Sequence, residues 1–140
     1  MSNKSVTNAD FGLLILRVGI GIMFVFHGWP KITGGPELWG QLGQAMSVFG
    51  ITAAPVFWGF MATFAEFFGG ILLALGLFFR ISCGLLLIDM VVATGMHLSK
   101  GDPFGVFSHA MELGIVFAAL LLIGPGSLTV VGNNPALKRL

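Results

Sequence analysis

The stretch FSHAMELG, residues 107–114, sets His109 and Glu112 three positions apart inside an otherwise apolar run. On a helix that spacing puts both on one face. Glu66 in ATFAEFFGG and Asp89 in LLLIDMVV, with His27, His97 and Arg17 in equally apolar surroundings, complete the groups whose types could do chemistry. Carboxylates and imidazoles take up and release protons, and several chemistries use them inside a helical bundle. A quinone headgroup needs a hydrogen-bond donor and a carboxylate or imidazole to exchange protons as it is reduced or oxidised, within an aromatic-lined slot open to lipid. Glu66, Glu112, His109 and the phenylalanines around them, Phe67 included, supply those parts. A metal needs imidazoles and carboxylates from several helices. No ExxH pair is present and a single HxxE does not define a site, so no metal ligands are assigned. Haem b needs two histidines on facing helices, which His27 with His97 or His109 would supply. A chain of acids and imidazoles also relays protons in a transporter.

These groups must be positioned by elements of an unusual composition. The 140 residues are 56% hydrophobic and only 9% charged, with a mean hydropathy of +0.95, 21 glycines and no tyrosine. That excludes a water-soluble domain and indicates an integral membrane protein, with the lipid bilayer as its first partner. A net charge of +1 with no basic cluster gives no electrostatic footprint for nucleic acid. The single Cys83 closes no intramolecular disulfide and forms no CxxC pair, so any electron chemistry comes from a bound cofactor or a partner.

Hydropathy predicts four membrane spans, at about 11–29, 56–79, 81–98 and 104–123, in one membrane domain over 1–140. Residues 11–29 could instead be a signal peptide, but Arg17 interrupts the run and no A-x-A site follows. The apolar pattern from Pro55 to Leu98 is roughly twice as long as a bilayer is thick, so it must turn back. The turn is expected in LGLFFRIS, 75–82, where Gly76 weakens the helix, Arg80 suits headgroups and Ser82 can cap the next helix. Between the first two spans, Leu38, Leu42, Ala45, Met46 and Phe49 recur at helical spacing, which predicts an amphipathic interfacial helix over about 36–49. The fold class is therefore all-α, a four-helix transmembrane bundle with a short interfacial helix. Lys4, Arg80, Lys138 and Arg139 outnumber Lys31 and Lys100, which puts both termini in the cytoplasm of a bacterial inner membrane.

Span directions convert position into depth. His27, His97 and His109 gather in the outer half, while Glu66, Asp89 and Glu112 lie near the midplane. A charged carboxylate in hydrocarbon costs about 2.5–3.5 kcal/mol even on the forgiving insertion scale. Three acids face one arginine, so the rest must be protonated, shared with imidazolium, bound to a cation or in contact with water. By this argument the His109 and Glu112 face points into the bundle, and Glu66, among Phe64, Phe67 and Phe68, is expected to lack a partner charge. Structural readings stand beside the functional ones. Arg17 and Asp89 at similar depth make a register-setting salt bridge, and His27 and His97 can snorkel to headgroups. Gly19, Gly21, Gly69, Gly70, Gly76, Gly84 and Gly114 are close-packing positions between helices.

LRVGIGIMFVFHGWPKI, AEFFGGILLALGLFFR and ELGIVFAALLLIGPGSL, in that order and spacing over roughly 12–130, resemble the DoxX family of small four-helix membrane proteins. The resemblance falls on Arg17, Gly28, Lys31, Glu66, Gly69, Glu112, Gly124, Pro125 and Gly126. The sequence departs from the pattern after GPG, where SLTVVGNN stands in place of a Ser-Leu-Asp type ending. The resemblance implies a subunit of a quinone-linked oxidoreductase. Glu66, Glu112 and His109 would handle protons, Arg17 would balance charge, and His27, His97, Phe67 and Asp89 would lie against the quinone. Two alternatives remain open: a non-catalytic scaffold that docks soluble redox partner proteins, and a proton or metal transporter that would need to form a homo-oligomer.

Overall fold

The computed structural model describes residues 6–130. Lys4, Lys138 and Arg139 of the charge count, and the ending from Val131 onward, lie outside the described residues. In chain order the elements are α1 (Asn8–Thr33), α2 (Gly35–Gly43), a 3₁₀ helix (Gln44–Phe49), α3 (Pro55–Leu75), α4 (Phe79–Ser99) and α5 (Phe104–Ile123). No strand occurs among the described residues. Helices α1, α3, α4 and α5 are each long and apolar enough to cross a membrane.

The local chemistry sets the ends of these helices. Thr7 and Asp10 form a capping box at the start of α1, and the second Asp10 oxygen accepts from the Ser127 N–H at 2.7 Å. That carboxylate ties the N-terminal end of α1 to the turn after α5. At its other end α1 continues to Thr33, beyond the expected stop at 29. Pro30 removes one backbone donor near the helix end, and the helix tolerates that loss. The α3–α4 turn is tighter than expected. The Gly76 N–H bonds to the Leu73 carbonyl at 3.1 Å and the Leu77 N–H to Leu72 at 3.0 Å, with Gly76 left-handed at φ 67°. This closing motif ends α3 at Leu75 rather than 79. Ser82 does not cap α4; it lies inside the helix and donates to the Phe78 carbonyl at 3.1 Å. Arg80 donates to the Leu121 carbonyl at 2.5 Å, fastening the start of α4 to the last turn of α5.

Helix α1 packs on α3, α3 on α4, and α4 on α5, while α2 lies across α3. Phe24 and Phe117 meet edge to face at 5.2 Å and bridge α1 to α5, over a core of Leu73, Phe79, Cys83, Leu86, Met90 and Leu120. Where glycines of α1 meet α3, the two backbones approach closely. A Cβ on Gly21 would lie 2.5 Å from the Gly70 carbonyl oxygen, and one on Gly28 would lie 2.6 Å from the Phe67 nitrogen. Gly19 and Gly84, expected in similar contacts, face open space instead. The interfacial segment is two pieces rather than one helix over 36–49. It changes from α to 3₁₀ geometry beside Gly43, where α2 presses on the first turn of α3 and a Cβ would run into the Pro55 carbonyl.

Candidate functional site

The close glycine crossing brings the outer end of α1 down onto the middle of α3. Lys31, four-carbon stem included, reaches Glu66, and its Nζ donates to Oε1 at 2.6 Å. Glu66 is buried, Lys31 only partly so. The second oxygen of Glu66, Oε2, is buried with no hydrogen-bond donor among the described residues. Asp89 completes the cluster from α4. Its carboxyl stands near enough to Glu66 and Lys31 to interact electrostatically with both. The antiparallel register explains the meeting. Glu66 lies ten residues before Gly76 and Asp89 ten residues after Phe79, so both stand about 15 Å from the turn that joins their helices.

Two carboxyls against one ammonium carry a net charge of −1 when both are ionised and 0 with one proton between them. Two neighbouring carboxylates repel one another, and the lysine offsets that repulsion.

Asp89 also faces a groove of about 300 Å³ between the interfacial segment, α3 and α4. Met46, Trp58, Met61, Ala65 and Ile88 contribute to its walls, and Asp89 is the only ionisable group lining it. Phe57 and Ile88 on its margin are 53% and 63% exposed, so the groove opens on the outer surface of the bundle. The enclosed volume, apolar walls and single polar group match the usual anatomy of a small-molecule site.

Of the residues singled out from sequence, Glu66 and Asp89 are brought together. The others are dispersed. Arg17 does not pair with Asp89: it lies buried at the level of the α3–α4 turn, against Gly76, and donates to the Leu128 carbonyl. The register of α1 on α3 keeps it roughly ten helical residues, about 15 Å, from the acids. His109 and Glu112 do not point into the bundle; both are exposed, because α5 buries the face carrying Ala110, Gly114, Phe117 and Leu120. His27 is exposed, with its ring edge toward Phe24. His97 bonds Asp102 across the α4–α5 loop at 2.7 Å. Phe67 stacks on Trp29 at 5.6 Å beside the Gly28 crossing. No three of His, Cys, Asp and Glu gather for a metal ion among the described residues.

Lys31 is the residue that charge counting missed. It follows a proline at the end of a hydrophobic run, which reads as a loop cation facing headgroups, although the family pattern includes it. The usable signal was length: a lysine stem reaches about a helical turn in either direction. The DoxX family profile matches the chain over residues 12–99. Comparison with curated proteins and with solved structures gives no match.

Proposed function

The chain belongs to the DoxX family, and from that premise we propose that the Lys31–Glu66–Asp89 cluster and its groove bind a quinone headgroup and exchange protons with it, as part of a quinone-linked membrane oxidoreductase. The observation that carries this reading is the position of Asp89. It is the sole ionisable group on the wall of an apolar groove of about 300 Å³ and the neighbour of a buried acid already paired to a lysine.

A quinone supplies the capacity to take up two electrons and two protons, the electrons arriving from a redox partner subunit. The residues of the chain do the rest. Asp89 offers a hydrogen-bonding carboxyl to the polar edge of the ring and holds the proton that is exchanged. Glu66 stands behind it as the second proton carrier, and Lys31 offsets the charge left when the pair is deprotonated. Trp58, Met46 and Met61, which line the groove with Asp89, would hold the apolar ring and keep water from the carboxyl, which would strengthen its electrostatic interactions.

The test is quinone content of the purified protein in lipid nanodiscs. Asp89→Asn should lower retained quinone about tenfold, the scale of one hydrogen bond to a charged group, with folded yield unchanged. Trp58→Ala should weaken retention by a similar factor without touching a titratable residue. Wild-type retention in both variants would remove the reading.

A second reading has its own support. A cleft of about 300 Å³ between the interfacial segment and the end of α4 combines polar residues, Gln41, Gln44, Ser47, Ser99 and Lys100, with an apolar floor that includes Val48 and Met96. It fits a scaffold that docks a soluble redox protein. Partner recovery in a pull-down would then fail with Gln44→Glu plus Lys100→Glu and survive Asp89→Asn.

A further inference from the structure

Glu112 sits eight residues from the outer end of α5 and eleven from the inner end, so it lies within the hydrocarbon zone. Its side chain faces away from the bundle, as does that of His109 one turn nearer the outer surface. Among the described residues neither makes a hydrogen bond or ion pair. A carboxylate in lipid with no donor is costly, and acyl chains have none to offer. Headgroups are out of reach at that depth. A second protein surface at the same depth would supply the donor.

The face itself indicates which surface. It carries an acid and a base three residues apart, and a two-fold axis along the membrane normal brings identical faces together at equal depth. Under that symmetry Glu112 of one copy meets His109 of the other, and the reverse contact forms at the same time. The flanking positions allow close approach. Gly105 and Ala119 stand seven residues to either side of Glu112 on nearly the same azimuth. Both are exposed, and a Cβ on Gly105 would meet nothing within 4 Å in its own chain. Small residues around a polar group are what association between membrane helices uses.

We propose that the exposed His109–Glu112 face of α5 is a homodimer interface, closed by two reciprocal His109–Glu112 pairs between copies of this chain. The proposal is independent of the quinone reading, since neither residue touches the groove.

Native mass measurement of the full chain in nanodiscs should show a dimer. Glu112→Gln and His109→Gln should each weaken dimerisation about tenfold, whereas the swap H109E plus E112H should restore it, because a self-complementary face stays self-complementary when its two groups exchange. A readout that leaves both groups in place is oxidative crosslinking: Ala119→Cys should form an intermolecular disulfide, and Gly19→Cys, on the open face of α1, should not. A monomeric wild type overturns the proposal. So does a dimer indifferent to Glu112→Gln and His109→Gln, one that the swap does not restore, or one that Ala119→Cys does not trap. A different protein seated on this face in the purified complex would equally overturn it.

Discussion

Lys31 meets Glu66 in a setting where neither is fully surrounded by water, and the two ends of the pair differ in burial. The lysine keeps contact with the surface while the carboxylate does not. Removing one partner of such a pair leaves an uncompensated charge, and most of the penalty comes from that stranded group rather than from the lost attraction. Lys31→Met is therefore expected to destabilise the fold by about 2 kcal/mol, less than for a deeply buried pair because the lysine is partly solvated. Adding Glu66→Gln to that variant should recover most of the loss, a coupling read from denaturant unfolding of the four-member mutant cycle. An additive double mutant would show that the two side chains do not interact in the membrane. The same logic makes Glu66→Gln alone milder than Lys31→Met, since Gln can still accept from the ammonium.

At the scale of helices, the site depends on how closely α1 and α3 approach. The backbone of Gly28 touches that of Phe67, and this contact lowers Lys31 to the depth of Glu66. Gly28→Ala forces a methyl into space held by main-chain atoms, which cannot move aside as a side-chain tip can. It is expected to cost about 1–3 kcal/mol by overpacking and to lower quinone retention together with stability, by pulling the ammonium away from the acids. Gly84→Ala is the matched control. That glycine faces open space within α4, so the substitution should be neutral or stabilising by up to about 1 kcal/mol through helix propensity. Thermal unfolding of the two variants in one detergent compares them directly. The crossing of α2 over α3 at Gly43 and Gly59 is built in the same way and holds Met46 over the groove.

For the whole molecule, the turn at Gly76 and the α1 capping box mark one membrane surface, while the interfacial segment and the α4–α5 loop mark the other. The groove lies in the half nearer the second surface. The distribution of basic residues predicts that this half is the outer leaflet, so a membrane-impermeant maleimide added to intact cells should label Ser47→Cys and Lys100→Cys but not Phe78→Cys. Native Cys83 is buried in the core and should stay silent. The reverse labelling pattern would invert the topology and place the groove in the cytoplasmic leaflet. Four spans arranged in one connected bundle also leave the far side of α5 uncovered, which is where the dimer contact is proposed.

Membrane residence, the number of spans and the common depth of Glu66 and Asp89 could be read from the amino-acid sequence, because the helical rise is constant, whereas the levels at which Arg17 and Lys31 find their partners could not. Glu66 and Asp89 share a depth for that reason, and the turn between 75 and 82 was enough to reveal it. What the linear order does not carry is azimuth. In a soluble helix the polar face announces which side is buried, but here lipid is as apolar as the core, so α5 is greasy all round and nothing in its spacing says where Glu112 points. Only the packing of Phe117 and Leu120 against α4 and α1 turned that acid outward. Likewise, only the glycine contact between α1 and α3 gave Glu66 its lysine, a partner that lies 35 residues away in the chain and on the other side of a proline.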